Sequence, residues 1–315
     1  MKQNGLCLGT VLVLICAMLG GCGTQDIDNG DVEQSVQMAD SKTGTNDNTL
    51  SAESAAKTDT STAETGESAD TAEEDEITSS DADTDSESLD VSDTVDAKIR
   101  TMTLTEKVYQ MFIVTPEALT GVSTVVAAGD ATYQALDSNP VGGIIYFSQN
   151  LETWEQTNEM LTNTQQYAQE ISGIGVFLAV DEEGGTVARC ADNLGTAAFD
   201  DMASYGASSD TDTAYSIGST IGSDIHALGF NLDFAPVADV NINENNELGS
   251  RIFSSDASIV AEMTAAVTRG LQDNGVSTTL KHFPGLGAGD GNTHNGSVWI
   301  DRSYDDLVST EFVAF

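Results

Sequence analysis

Residues 175–185 read GVFLAVDEEGG, and their reading decides the fold. The first six residues form a strand-like apolar core. It stops at Asp181, Glu182 and Glu183, followed by two glycines. An apolar strand that ends in carboxylates and glycines sets charged side chains at its C-terminal end, where βα folds carry their chemistry.

Four similar runs lie on either side: QMFIVT (110–115), GGIIYF (142–147), FNLDFAPVADV (230–240) and STTLKHF (277–283). Helical patterns lie between them, at about 153–170, 212–228 and 257–274, with Ala, Met, Leu and Val recurring at three- and four-residue steps. Thr103 and Glu106 have capping-box spacing and open a short helix before the first run. Strand, helix, strand at intervals of roughly 30–50 residues predicts parallel βα units. Polar residues follow three successive strands: Asp181 after the third, Asp239 and an Asn-rich loop to Arg251 after the fourth, Lys281 and His282 at the fifth. That repetition favours a (β/α)8 barrel over an open doubly wound sheet, which gathers its ligand at one switch point. No GxGxxG follows the first strand and no GxxxxGK[ST] occurs, so a nucleotide fold has little support.

Charge divides the chain. Fifty-one Asp and Glu face 11 Lys and Arg, a formal charge of -40, which argues against nucleic acid as a partner. Residues 23–97 hold 22 acidic and two basic residues and no aromatic one. Such a segment cannot bury enough apolar surface to offset its ordering entropy, so it reads as a disordered acidic Ser/Thr-rich linker. About 75 flexible residues would span roughly 50 Å. Only eight Lys and Arg follow residue 97, and Arg189, Arg251 and Lys281 all sit in the strand-end loops. Each reads either as a donor to substrate hydroxyls or as a structural salt bridge.

Residues 1–22 carry Lys2, an apolar run over residues 6–19 and then Leu19-Gly20-Gly21-Cys22. The run is too short for a stable membrane span. Its end resembles a bacterial lipoprotein cleavage box, which implies lipidation of Cys22, export, and anchoring at the extracytoplasmic face of the cell membrane. Cys7 and Cys16 would leave with the signal peptide. Cys190 would then be a free thiol, with no disulfide. Neither CxxC nor HExxH occurs, so a metal site has no support, and no cofactor is expected.

The motifs LTEKVYQMF, VGGIIYFSQN, LAVDEEGGTVAR, LGFNLDFAPVADVN, LGSRIFSSD and LKHFPGLGAGDGNTH together resemble glycoside hydrolase family 3, N-terminal domain, in its β-N-acetylglucosaminidase branch. The resemblance runs from about Leu104 to the end. It implies that Asp181 accepts hydrogen bonds from sugar hydroxyls and that Arg251, Lys281 and His282 bind the same sugar. It implies that His294 is the general acid/base on a mobile loop, with Asn292 at the position of the family's dyad Asp. Asp290 could substitute for that Asp if the loop folds differently. Leu286 and Thr186 stand where the family often has His and Arg. Arg189 and Asp239 are further site candidates, whereas His226 falls in a helical pattern.

A complete barrel needs roughly 250 residues. Residues 98–315 supply about five of the eight units, and the resemblance places the nucleophilic Asp beyond Phe315. The activity implied is retaining hydrolysis that releases terminal β-linked N-acetylglucosamine from cell-wall fragments or related amino-sugar glycans, by the whole protein rather than this stretch alone. The alternatives are a β-glucosidase, an N-acetylglucosaminide phosphorylase and an inactive glycan-binding barrel.

Overall fold

The computed structural model describes residues 91–315. The expected signal peptide, the expected lipidation at Cys22 and nearly all of the stretch expected to be an acidic linker lie outside the described residues. The first described element is a helix, Val91–Thr101. It starts inside the stretch that composition assigned to the linker, which corrects that boundary for residues 91–97. The anchor is the Lys98 ammonium, which donates to the Ser172 carbonyl. A stretch rich in Asp and Ser can still fold where such a tertiary contact fixes one end.

The fold is α/β, built on a five-stranded parallel sheet. The strands are β1 (Ile113–Val114), β2 (Gly143–Ile145), β3 (Phe177–Val180), β6 (Leu232–Asp233) and β7 (Ser277–Thr278). A separate antiparallel hairpin joins β4 (Glu182–Gly184) to β5 (Val187–Ala188). Strand order in the sheet is β1-β2-β3-β6-β7, the order of the chain itself. Each crossover therefore steps to the next position in one direction, with none of the reversal that creates a switch point in a doubly wound sheet. The strands are shorter than the apolar runs that announce them, and in β6 and β7 irregular backbone takes over at the C-terminal end. Pairing resumes beyond β6 and β7 in a parallel bridge between Val237 and Lys281.

Three long helices cover the sheet: Trp154–Ser172, Thr211–Leu228 and Ala257–Asp273. Their starts are set by side-chain caps, from Thr153 in a capping box with Gln156, and from Asp210 and Asp256. The Thr103–Glu106 capping box is also formed. Two shorter helices, Pro116–Thr120 and Asp130–Ser138, lie between β1 and β2, where the sequence offered no clear period. The last two long helices pack through glycines. A Cβ added at Gly218 would lie 2.2 Å from the Val267 carbonyl oxygen, and one at Gly270 would lie 2.5 Å from the Ser219 nitrogen. Only residues without side chains allow backbones this close.

The core between sheet and helices is aliphatic, with Ile144, Leu161, Leu178, Ile225, Met263 and Leu271 almost fully buried. One buried polar pair within it is satisfied internally. The hydroxyls of buried Tyr146 and Thr164 share a hydrogen bond at 3.2 Å, and Phe230 meets the Tyr146 ring edge-on. Among the described residues, no helix is long and apolar enough to cross a membrane.

Candidate active site

Side chains alternate along an extended chain, so Asp181 and Glu183 share one face while Glu182 points to the other. The structure uses both faces. On the first, Asp181 Oδ1 accepts from the Lys281 ammonium at 2.7 Å, and Oδ2 accepts from Arg189 at 3.2 Å. Lys281 also lies 2.6 Å from Glu183 Oε1. Arg251 grips Glu183 with both prongs of its fork, Nε to Oε2 and Nη2 to Oε1, each at 2.8 Å. Two carboxylates and three cations, from the end of β3, from β4, from the residue after β5, from the loop after β6 and from the stretch after β7, thus form one chain of contacts. The Glu183 side chain is only 2% exposed, against 15% for Asp181, 14% for Lys281 and 20% for Arg251. Arg189 also sits over the Phe147 ring, 4.9 Å from its centre.

The electrostatics follow from this geometry. Burial alone would raise the Asp181 carboxyl, but the charge and hydrogen bond of Lys281, then those of Arg189, outweigh it and hold Asp181 below the usual carboxylate range. Burial alone would lower Arg251, yet the Glu183 hydrogen bonds and charge hold it above its ordinary value. An ionised carboxylate offers about four acceptor positions, and the two cations occupy two of them on Asp181. The guanidinium of Arg251 keeps donors that Glu183 does not use, and the Lys281 ammonium keeps one of its three. Free acceptors beside free donors suit a hydroxyl-rich ligand.

Glu182, on the opposite face, accepts from the backbone N–H groups of Cys190 (2.7 Å) and Ala191 (3.0 Å). Its own N–H donates to buried Asp233 at 2.9 Å. Burial pushes Glu182 up to about 7 despite its two backbone donors, and burial lifts Asp233 well above its ordinary value. This pair supports the site from beneath. Cys190 is a free and fully buried thiol, raised first by burial and then by the Glu182 and Asp233 charges.

Asp239 belongs to a second cluster. Its carboxylate accepts from the backbone N–H of His282 at 2.9 Å and of Leu286, and it lies 2.7 Å from His282 Nδ1. One buried side chain therefore fixes both the His282 ring and the start of the Gly-rich loop. The Lys281–His282 peptide bond is cis.

That loop carries the remaining candidates. His294 is 85% exposed, with Nδ1 at 3.1 Å from Asn292 Oδ1 and 3.7 Å from Glu247 Oε2. Asp290 is exposed and forms no ion pair with the ring. Thr186 donates through its N–H and hydroxyl to Asp201 at the rim. His226 lies in the helix Thr211–Leu228, in contact range of Gly275. Among the described residues, no group of three or more His, Cys, Asp or Glu is placed to hold a metal ion.

Sequence reasoning named Asp181, Arg189, Arg251 and Lys281, which the structure brings into one network. It passed over Glu183, which joins them. The signal was available, because residues two apart in an extended strand share a face. It also passed over Glu247, for which proximity in sequence gives no hint.

The glycosyl hydrolase family 3 N-terminal domain model matches residues 103–315. The chain belongs to this family. Its relatives include β-hexosaminidase A of Pseudoalteromonas piscicida, 33% identical over 180 residues, which cover 56% of this chain and 30% of the relative. A solved family 3 β-N-acetylglucosaminidase from Paenibacillus sp. str. FPU-7 superposes with a TM-score of 0.62 at 33% identity, over 68% of this chain and 39% of that one. NagZ from Neisseria gonorrhoeae, in complex with N-trifluoroacetyl-D-glucosamine, superposes with a TM-score of 0.56 at 25% identity, over 64% of this chain and 58% of that one. The chain thus spans well under two thirds of these relatives' lengths.

Proposed function

We propose that the whole protein is an exported, lipid-anchored β-N-acetylglucosaminidase, and that residues 103–315 supply the first five units of its (β/α)8 barrel. The observation that carries this reading is the network of Asp181, Glu183, Lys281 and Arg251 at the C-terminal strand ends. It presents free acceptors and donors side by side, as recognition of adjacent sugar hydroxyls requires. The family membership and the named hexosaminidase relatives support the amino sugar as substrate.

In this reading Asp181 accepts from the hydroxyls of the terminal sugar, while Arg251, Lys281 and His282 donate to them. Arg189 and Glu183 position those groups, and Asp239 positions His282. His294 protonates the departing glycosidic oxygen while a carboxylate outside this chain attacks the anomeric carbon. The resulting glycosyl-enzyme is opened by water, whose proton returns to His294. Net retention follows from two inversions. Lipidation at Cys22 and the acidic linker would let the domain reach glycans of the cell wall.

The test uses the whole reading frame without its linker. Nitrophenol release from the β-N-acetylglucosaminide is compared with release from the β-glucoside. Preference for the amino sugar, with kcat/KM reduced at least about 100-fold in Asp181→Asn, supports the reading. A folded protein that binds wall glycan but releases nitrophenol from neither would select the glycan-binding barrel instead.

A further inference from the structure

The loop that carries His294 supplies its ring with an amide, not a charge. Asn292 Oδ1 accepts from the His294 N–H at 2.8 Å and lies 3.1 Å from Nδ1. The nearest carboxylate comes from another loop. Glu247, in the stretch after β6, has a side chain only 7% exposed although the ring beside it is open to water. Its Oε1 accepts from both the N–H (3.0 Å) and the hydroxyl (2.7 Å) of Thr293, and its Oε2 faces His294 Nδ1 at 3.7 Å.

The two loops are joined along their length. Ile242 and Asn243 donate their N–H groups to the Gly287 carbonyl, and the Asn243 amide donates to that of Gly289. Asn246 and Gly291 form a parallel bridge. Asn246 and Leu248, on either side of Glu247, are buried. The carboxylate is therefore held on a fixed support. It is also held ionised: burial would raise it, but the two Thr293 hydrogen bonds and then His294 keep it below the usual range.

We propose that Glu247 is the positioning residue for His294, fixing its loop through Thr293 and supplying the negative charge that Asn292 lacks. An amide can orient the ring, whereas a carboxylate stabilises much more strongly the imidazolium that forms when His294 takes up a proton. Among the described residues, Glu247 is the acidic group within ion-pair distance of the ring, and Asp290 on the same loop is not. This assignment rests on the reading of His294 as the general acid/base.

Two variants separate charge from scaffold in the whole protein. Glu247→Gln keeps an acceptor for Thr293 but removes the charge, whereas Glu247→Ala removes both. Hydrogen exchange at the Thr293 amide should be unchanged in the first and accelerated at least roughly tenfold in the second, as expected for loss of a hydrogen bond. The basic limb of kcat/KM should move to lower pH by roughly half to one unit in Glu247→Gln, the size of one charge near a largely exposed ring. Adding Asn292→Asp to Glu247→Gln should return the limb toward its original position. An unmoved limb in an active enzyme would overturn the charge assignment, and unchanged exchange in Glu247→Ala would overturn the placement. The exchange arm needs no turnover, so a protein inactive on amino sugars refutes the functional reading while the placement of Glu247 is still decided.

Discussion

Glu183→Ala is the substitution that most tests the site as a built structure. The carboxylate is 2% exposed, bidentate to Arg251 at 2.8 Å and close to Lys281 at 2.6 Å. Removing one partner of a buried ion network costs about 3–5 kcal/mol, mostly because charges are left buried without a counterpart. Here Lys281 retains Asp181 at 2.7 Å, and the Arg251 side chain is 20% exposed, so water recovers part of the loss. The expected penalty is therefore at the lower end, about 3 kcal/mol. For a domain of this size that lowers Tm by roughly 6–12 °C. Glu183→Gln keeps the volume and one acceptor and should lose about half as much. The assay is thermal unfolding followed by far-UV circular dichroism, with KM for the amino-sugar glycoside measured on the same samples. A fall in Tm below roughly 2 °C, with KM unchanged, would refute the claim that Glu183 holds the two cations in place.

Other predictions concern the layer beneath the site and the helix packing. Glu182 is pushed up to about 7 by burial, so its contribution to stability is full below about 4.5, declines as pH rises towards 7, and is then flat. Glu182→Gln should remove up to roughly 1.4 kcal/mol per pH unit of that decline, read from urea unfolding across this range, and an unchanged pH dependence would count against it. Asp181 has the opposite sign, since its carboxyl is held low: its contribution is present at neutral pH and lost only as pH falls below its usual range. Cys190, buried with its thiol raised, should react with an aromatic disulfide reagent only after denaturation. Gly218→Val should destabilise by at least about 3 kcal/mol in chemical denaturation, because its Cβ would meet the Val267 carbonyl oxygen at 2.2 Å.

The fold was legible where pattern and punctuation agree. Three long helices were placed within about two residues of their observed ends, because apolar periodicity and polar caps coincide there. The five strands were located but overlong in prospect: β6 occupies two residues of an eleven-residue apolar run, since backbone beyond Asp233 turns to place Asp239 against His282. The hairpin of β4 and β5 was missed, because the Glu and Gly of β4 are depleted from strands and β5 is only two residues long. At the site, cations on an acidic chain pointed to Arg189, Arg251 and Lys281. Glu183 and Glu247 were passed over for different reasons. The first was one carboxylate among several in an acidic motif. The second meets His294 only through pairing between loops 46 residues apart in sequence, which no local rule encodes.

The central claim is that His294 transfers the proton in an N-acetylglucosaminidase. Its most direct test is the leaving-group dependence of kcat/KM for aryl β-N-acetylglucosaminides, measured on the whole protein and on His294→Ala. The account predicts a loss of roughly 10²–10⁴-fold with a poorly departing phenol, shrinking towards wild-type rates with a dinitrophenol that needs no proton. An equal loss for every leaving group, or none for any, would contradict it.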